Sequence, residues 1–503
     1  MAARFSQDPF FHGQQQNMIE LYARSAWDEI YEKSFSEDDA PDITVVQATN
    51  MLAVVDFTTG KHKLAWVKIG LGVRFAQSLQ LTVDPPADLA PEEQQERVWT
   101  FWSVYLLDRL VSCGKNRPPT IRDSDCSVRL PSNSTDFGAQ SSSNSLTLEA
   151  LQDLPDAEMT ENLSLFAHTI LMASALGRVE RFSLQNHGSR GPFKLWHDRS
   201  EYSKINGLLL HFETYSDANL APFSEALDRW YCVGGVIDQT RAGHFIFSAV
   251  LYNLNQCLLH HPFLLQNHVK DCKTRVPTTF LKHASRRALE HARLLTLALR
   301  VVQTRGLSLA SFYSYACTVA GTIHKLYTFH DDERVSRTSK ALFECSIDFL
   351  QHGQAVWCHY PRMAHALMQL DPDPTSAKSL VTAVSALNPS ETLTDPTLDI
   401  LWNLLDYGWL SDSARPSSSP ETCQQWFNDG PWDPTSRTLD HGQRVSSVAG
   451  LMPDTAAVPI DIDYFDPTIN DATDGAWLDV PDPGYTDMPV DLDTEQDWSR
   501  LVL

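Results

Sequence analysis

Long apolar runs are absent from this sequence of 503 residues. No apolar stretch reaches the roughly 18 residues that a helix needs to cross a bilayer, and the opening segment lacks the three regions of a secretory signal. We therefore expect a soluble protein inside the cell, without a membrane partner. Hydrophobic residues still make up 43% of the chain, which is enough for large buried cores.

Closely spaced cysteines are also absent. The nine cysteines are odd in number and widely scattered, whereas disulfide frameworks need even sets and tetrahedral zinc sites need short spacings. We expect reduced, mostly buried thiols and no metal-binding residue. His260 and His261 follow Cys257, but adjacent helical residues point about 100° apart, so packing or capping is favoured over a metal site.

Basic residues are scarce: 40 Lys and Arg stand against 63 Asp and Glu, for a net charge of −23. A surface that binds nucleic acid needs clustered Lys and Arg, so we expect DNA contact to be weak or to run through a partner. The acidic excess is concentrated at the C-terminus, where residues 451–503 hold 13 acidic side chains and a single basic residue, Arg500.

Catalytic motifs are missing too, including the Gly-x-Ser-x-Gly elbow, the His-Glu-x-x-His pair and the phosphate loop. Residues 69–76 begin like a dinucleotide-binding turn, but the third glycine is missing and the preceding residues have helical character. We expect Gly70 and Gly72 instead to let a neighbouring helix approach. No catalytic or cofactor-binding residue is predicted, although a site assembled from distant residues stays open.

Helical periodicity is clearest in the first half of residues 92–131. Pro91 suits a first helical position, and the acidic residues after it suit the positive end of the helix dipole. Gly114 closes this helix, and Pro118 with Pro119 forbids its continuation, so an extended arm should run to Pro131. The apolar stripe consists of Val98, Phe101, Trp102, Tyr105, Leu106 and Leu110.

Similar periodicity predicts an all-α protein of packed helical layers. An opening helix should carry Met18, Leu21, Tyr22, Ser25 and Ile30 at helical spacing, and a helix over 63–81 should place Leu64, Val67, Leu71, Phe75 and Leu79 on one side. The prolines at 372 and 374 should interrupt the pattern. Further helices are predicted at 43–55, 163–182, 204–215, 223–231, 242–259, 279–303, 308–329, 338–351, 361–370 and 398–410.

Several motifs resemble the fungal-specific transcription factor domain, the middle homology region of fungal binuclear zinc-cluster regulators. This sequence departs from the family in two places. Val98 and Trp99 stand where the family usually has basic residues, and the turn from Gly114 to Pro118 is longer than the common family form. The matching positions are Trp66, Gly70, Arg74, Arg97, Phe101, Trp102, Asp108, Arg109, Gly114, Arg117, Pro118, Pro131 and Pro262.

The resemblance implies a nuclear transcription regulator. Its helical body would act as a regulatory or dimer-supporting module, and a small-molecule effector is among its expected partners. The six-cysteine zinc cluster of the family is absent, and zinc is expected only if such a cluster precedes this segment. The main alternative is a non-DNA-binding partner or inhibitor that dimerises with a complete regulator. A second alternative is an all-α enzyme or ligand-binding protein.

The domain limits expected from these patterns are a lead-in at 1–40, a signature part at 41–131, a Ser-rich loop at 132–160 and a helical remainder at 161–410. Within the signature part, neighbouring helical residues Asp108 and Arg109 should have different partners. Arg109 should pair with Asp123 or Asp125 and hold the arm, a structural rather than a catalytic role.

The acidic tail, residues 411–503, is predicted to be disordered. Its aromatic and aliphatic residues are interspersed with Asp, which is the composition of acidic activation segments that bind coactivators. A solubilising tail would explain the Asp residues but not the aromatic clusters. The residues assigned to activation are Tyr464, Phe465, Trp477, Leu478, Trp498 and Leu501.

Overall fold

Helices account for nearly all regular structure in the described part of the chain. The computed structural model describes residues 2–6, 8–11, 13–35, 41–115, 117–131, 146–152, 163–185, 193–213, 222–269, 275–381 and 395–412. Most of the predicted Ser-rich loop and all of the chain beyond residue 412 lie outside these ranges, as do the predictions about them.

The first helices are α1 (Gln15–Phe35), α2 (Ile43–Thr58), α3 (His62–Ser78), α4 (Pro91–Val111), α5 (Leu148–Gln152), α6 (Leu165–Glu180), α7 (Glu201–Phe212), α8 (Phe223–Tyr231) and α9 (Gln239–His260). They are followed by α10 (Pro262–Val269), α11 (Thr278–Thr304), α12 (Tyr313–Tyr327), α13 (Glu333–His352), α14 (Tyr360–Met368), α15 (Pro374–Val381), α16 (Asp395–Leu404) and α17 (Tyr407–Leu410). The predicted all-α class is confirmed.

One small hairpin departs from the helical pattern. Strand β1 (Cys232–Val233) pairs antiparallel with β2 (Val236–Ile237). Gly234 and Gly235 form the turn with φ angles of +61° and +83°, a conformation that glycine adopts readily and that two-residue hairpin turns require. The strands were not predicted because two residues are too few to display an alternating pattern.

The helices pack in a continuous series. Helices α2 and α3 pack against each other and both contact α4, which contacts α6. Helix α6 packs on α9, α9 on α11 and α12, and α12 on α13 and α14. One hydrophobic core therefore extends from Ile30 to Leu410. Among the described residues, no helix combines the length and the apolar character that a membrane span requires.

The apolar stripes predicted for α1 and α3 are buried only in part, at Ile30 and at Phe75. In α1, Leu21 and Tyr22 are exposed, whereas Ile19 and Ile30 are buried. In α3, Leu64 and Val67 are exposed. The buried side of α3 instead carries small and branched residues that let α2 approach closely, namely Ala65, Ile69, Gly72, Val73 and Ala76.

The interruption predicted at Pro372 and Pro374 lies between α14 and α15. Pro374 begins α15, because a first helical residue needs no backbone N–H, and the Asp373 carboxylate caps this helix by accepting from Ser376 N at 2.9 Å. Two other helix boundaries differ from the predictions. The helix predicted at 398–410 is divided into α16 and α17 at residues 405–406. The helix predicted from residue 308 begins only at Tyr313.

Candidate functional site

Helix α4 carries its buried stripe where the sequence predicts it. Phe101, Trp102 and Tyr105 are each 0% exposed, and their rings pack in succession at centroid distances of 5.1 Å and 5.2 Å. The Trp102 indole donates from Nε1 to the Arg129 carbonyl oxygen at 2.8 Å. The stripe therefore fills the core and also holds the far end of the arm, residues 112–131.

The Asp108 carboxylate holds the middle of the arm by binding the arm's backbone N–H groups. Its carboxylate accepts hydrogen bonds from Thr120 N at 2.8 Å and from Ile121 N at 2.9 Å. Burial raises the pKa of Asp108 above its ordinary value, although these two N–H groups oppose the shift. This carboxylate thus satisfies two arm amides that no helix or strand pairs.

Arg109 makes the predicted contact with the arm. Its Nη2 lies 2.8 Å from Asp123 Oδ1, and its guanidinium stacks 4.3 Å from the Tyr105 ring centroid. Asp125 lies exposed instead. Burial lowers the pKa of Arg109, but Tyr105, Asp123 and Asp108 outweigh that effect and raise it. A Cβ at Gly177 would lie 2.9 Å from Arg109 Cδ, so α6 approaches this side chain closely.

Asp123 joins three elements. It accepts from Tyr105 Oη at 2.6 Å and Arg109 on α4, and from Ser174 Oγ at 2.8 Å on α6. Burial opposes ionisation of Asp123, but Arg109 and these hydroxyl groups lower its pKa below the ordinary value. We call Tyr105, Asp108, Arg109, Asp123 and Ser174 the arm clamp.

The near end of the arm contacts the last described helix. Lys115 N donates to Asp406 Oδ2 at 3.2 Å, and Tyr407 N donates to the Cys113 carbonyl oxygen at 2.9 Å. A Cβ at Gly114 would lie 2.6 Å from Asp406 Oδ1, so glycine permits this approach. Sequence reasoning missed the contact because nothing local to residues 406–408 indicates a partner almost 300 positions away.

Arg117 lies on the same contact. Its Nη2 lies 3.7 Å from Asp406 Oδ1, and a Cβ at Gly408 would overlap the guanidinium. Gln185, at the end of the π-helical turn Arg181–Gln185, donates to the Arg117 carbonyl oxygen at 3.3 Å. The two residues of the sequence match Arg117-Pro118 therefore differ in their surroundings: Arg117 packs against the end of the chain's last described helix, whereas Pro118 is exposed.

Glu180 is, like Asp406, an acidic group of this region that sequence reasoning missed. It is 0% exposed, and neither carboxylate oxygen has a nitrogen or oxygen partner in the structure. The Cys113 thiol lies beside it, and burial raises the pKa of Glu180 to about 8. Glu180 is therefore a neutral carboxyl at physiological pH, and no periodicity in the sequence distinguishes it from an exposed glutamate.

The remaining signature residues are dispersed. Arg97 donates from Nη2 to the Leu79 carbonyl oxygen at 2.7 Å, and the Pro131 carbonyl oxygen accepts from Ser164 Oγ at 2.8 Å. Pro262 is buried as the first residue of α10. The others, Trp66, Gly70 and Arg74, lie on the outer side of α3, away from the arm clamp.

The two α3 glycines differ in what they contact. A Cβ at Gly72 would lie 3.1 Å from Asn50 Oδ1, so this glycine does permit the approach of α2. A Cβ at Gly70 would meet nothing within 4 Å, so the predicted role is wrong for Gly70. Both glycines lie inside one continuous helix, which is not the strand-to-helix turn that holds a dinucleotide.

The histidine pair at the end of α9 is held by hydrogen bonds. His260 contacts Tyr202 Oη at 2.8 Å and Gln256 Oε1 at 3.0 Å, and His261 contacts Thr322 Oγ1 at 2.9 Å. Burial lowers the pKa of both histidines. In the part of the chain that the structure describes, no group of three or more His, Cys, Asp or Glu residues is arranged to hold a metal ion.

Comparison with known proteins gives a family match for the N-terminal part of the chain, which contains the arm clamp. Residues 1–231 match the family model of the fungal specific transcription factor domain. An uncharacterized transcriptional regulatory protein of Schizosaccharomyces pombe is 29% identical over 227 residues, which cover 42% of this chain and 22% of that protein. The Zn(2)-C6 fungal-type transcription factor FTF2 of Fusarium oxysporum f. sp. lycopersici is 23% identical over 63% of this chain and 30% of its own length.

A third relative is the citrinin biosynthesis transcriptional activator mrl3 of Monascus ruber, 30% identical over 28% of this chain and 29% of that protein. This chain thus spans less than a third of the length of each of these three relatives. No solved structure matches it significantly. The motifs, the helical fold and these comparisons agree: residues 1–231 match the fungal specific transcription factor domain, and the chain is similar to Zn(2)-C6 fungal-type transcription factors.

Proposed function

We propose that this protein acts in the nucleus as a transcriptional regulator, with the helical body as its regulatory module and the acidic tail as an activation segment. The observation that carries the proposal is the domain match over residues 1–231, and the similarity to relatives named as transcriptional regulators supports it. One of those relatives is named as an activator of a biosynthetic process, which supports activation of a metabolic or secondary-metabolite pathway.

The arm clamp supports a structural role for the signature residues. The side chains of Asp108, Arg109 and Asp123 form hydrogen bonds with one another, with arm amides and with helix side chains. Catalytic groups instead need polar atoms directed at a substrate. We therefore propose a non-enzymatic protein whose body holds a fixed shape for partners, including a small-molecule effector and a homo- or heterodimer partner.

The charge and cysteine pattern support indirect DNA contact. The net charge of −23 opposes binding to phosphates, and the cysteine spacing does not suit zinc. A complete regulator that pairs with this protein would supply the DNA contact. In that arrangement the protein is either a coactivating subunit or an inhibitor of its partner, and the activity of the tail distinguishes these roles.

The test of activation uses residues 451–503 fused to an unrelated DNA-binding domain that controls a reporter gene. We expect activation, because the aromatic clusters can bury one face in a coactivator groove while Asp charges steer the encounter. Replacing Trp477, Leu478, Trp498 and Leu501 with Ala should abolish most of the activity without changing a charge.

The matched control replaces four polar residues of the same segment, Thr455, Thr468, Thr473 and Thr486, with Ala. This variant should activate like the parent, because it keeps both the charges and the apolar clusters. Equal activity of the apolar-to-Ala variant would show that charge alone is responsible. A fusion that does not activate at all would remove the activator role and favour the inhibitor.

A further inference from the structure

Helices α1 and α3 carry a concentration of exposed apolar side chains. The described part of the chain exposes sixteen large hydrophobic side chains, and seven of them lie on these two helices. Grouped apolar side chains at the surface mark interaction sites, whereas single ones need no explanation. The seven are Leu21, Tyr22, Tyr31 and Phe35 on α1, and Leu64, Trp66 and Val67 on α3.

Contacts between α1 and α3 join these side chains into one surface. The centroids of the Tyr31 and Phe35 rings lie 5.3 Å apart, and Phe35 lies 6.5 Å from the Phe75 ring of α3. Near the middle of both helices, Lys68 Nζ lies 4.4 Å from the centroid of the Trp27 ring. The two helices therefore lie side by side on the body.

Each of the two helices exposes one row of residues at steps of three and four, the spacing that keeps residues on one side of a helix. All five residues of the α1 row are exposed: Leu21, Ser25, Asp28, Glu32 and Phe35. The α3 row is exposed except at its half-buried glycine: Lys63, Val67, Gly70 and Arg74. We call these two rows together the α1–α3 face.

The two rows carry opposite charges. Asp28 and Glu32 make the α1 row acidic, whereas Lys63 and Arg74 make the α3 row basic, and α3 contains no Asp or Glu. Within the described residues, none of these four side chains takes part in an ion pair. Both rows also contain apolar side chains, so each row matches the chemistry of the other row rather than its own.

Gly70 leaves the backbone open in the middle of the α3 row. A Cβ there would meet nothing within 4 Å of the described chain, so packing inside the body does not require the glycine. Glycine inside a helix is destabilising relative to alanine, but it lets a ring of a neighbouring molecule approach the backbone. Trp66 and Arg74 also match the family motifs, and neither belongs to the hydrophobic core.

A second copy of the chain supplies both complementary rows at once. About a two-fold axis, α1 of each copy meets α3 of the other, so every contact occurs twice. Helices of 21 and 17 residues, side by side, present on the order of 500–600 Å² on each copy. Two such surfaces together reach the roughly 1,000 Å² that a specific interface needs.

We propose that the α1–α3 face joins two copies of this chain in a symmetric dimer. The acidic row of each copy lies against the basic row of the other, and the Phe35 ring lies over Gly70. The proposal rests on the dimer partner proposed for the helical body, and it adds the identity of that partner and the surface that binds it.

Analytical ultracentrifugation of the full-length protein measures the association. We expect a dimer in the micromolar range, and Val67→Glu should weaken it at least tenfold because it places a carboxylate opposite the acidic row. The matched control is Val233→Glu, at a side chain 65% exposed on the hairpin, which should leave the association unchanged. A monomer at every concentration, or equal effects of the two substitutions, would overturn the proposal.

Charge reversal tests which rows face each other. One variant carries Lys63→Glu with Arg74→Glu, and the other carries Asp28→Lys with Glu32→Lys. Each variant alone should associate at least tenfold more weakly than the parent, because like charges then meet in both contacts. An equimolar mixture should form a heterodimer, since every contact between α1 and α3 joins opposite charges again.

Rescue by mixing separates the interface from a loss of folding, because two unfolded variants would not restore each other. A mixture that stays monomeric would show that α1 does not face α3 of the other copy and would overturn the proposal. A variant that dimerises alone as tightly as the parent would do the same.

The reporter fusion of residues 451–503 distinguishes failure of the dimer from failure of the proposed activator role. If the full-length protein is monomeric while the fused segment activates, the dimer proposal is wrong and the activator role stands. If the charge-reversed variants pair as expected but the fused segment does not activate, the interface stands and the activator role is removed.

Discussion

At the scale of single residues, Glu180 shows how burial changes a side chain. The carboxyl lies in the core between α4 and α6, beside the Cys113 thiol, and its pKa is raised to about 8 because burial penalises the charged form. In the unfolded chain the pKa returns to 4.5. As pH rises from that value to about 8, only the unfolded chain ionises, so this group makes the folded state progressively less stable.

Glu180→Gln should remove this dependence on pH. The buried amide has its own cost of about 1–3 kcal/mol where its hydrogen bonds are unmade, but that cost does not vary with pH. The free energy of unfolding of the variant, relative to the parent, should therefore increase between pH 5 and pH 8, by an amount on the order of 3 kcal/mol. Urea denaturation at several pH values measures it.

The control for Glu180 is Glu201→Gln, at an exposed position on α7, which should leave the pH dependence of the parent unchanged. Parallel stability curves for the Glu180 variant and the parent would show that this carboxyl is ionised in the folded protein.

At the scale of elements, the arm depends on side chains because it has almost no regular backbone pairing of its own. Asp108 accepts from two arm amides, Asp123 is held by α4 and α6, and the Trp102 indole donates to the carbonyl oxygen of Arg129. The stripe and the arm were predictable because helical periodicity and proline act locally. The attachment of the arm to α17 was not, because it joins distant parts of the chain.

Arg109→Ala should destabilise the protein by about 3–5 kcal/mol, because it removes the nearest cation of the largely buried Asp123 and leaves it only the more distant Arg178 Nε, at 3.8 Å. Hydrogen exchange at residues 117–131 should accelerate more than exchange in α11, since the arm loses its anchor. Arg109→Lys should rescue little, because an ammonium group cannot reproduce the planar contacts with Asp123 and Tyr105.

Arg337→Ala serves as the control for the clamp. Arg337 pairs with Glu333 one helical turn away, and its side chain is 76% exposed, so its loss should cost at most about 1 kcal/mol. Similar losses of stability in the Arg109 and Arg337 variants, or unchanged hydrogen exchange in the arm, would contradict the anchoring role of the arm clamp.

At the scale of the whole molecule, buried histidines distributed through the helices should make the fold sensitive to acid. Burial lowers the pKa of His244, His291 and His359 to about 4, and that of His261 and His324 to about 3. These histidines are neutral in the folded state, whereas an unfolded chain takes up protons near pH 6.5. Their contribution to the free energy of unfolding is therefore complete above pH 6.5 and is lost as pH falls towards 4 and 3.

We expect the free energy of unfolding to decrease steadily from pH 7 to pH 4.5 at constant ionic strength, as measured by urea denaturation. Glu180 acts in the opposite direction over this range, but it is one group against five histidines with lowered pKa values. Constant stability between pH 7 and pH 5 would show that these histidines are accessible to protons in the folded protein.

The sequence by itself determined the helical class, the start and stripe of α4, the arm after Gly114, and the resemblance that the domain match confirms. Each of these depends on residues close together in the chain, where periodicity, proline and glycine act directly. Only the tertiary structure decided which sides of α1 and α3 are buried, that Asp406 meets the arm, and that Glu180 is enclosed. Both sides of α3 carry apolar residues, so its periodicity is ambiguous, and the small side chains that fit against α2 determine which side turns inward.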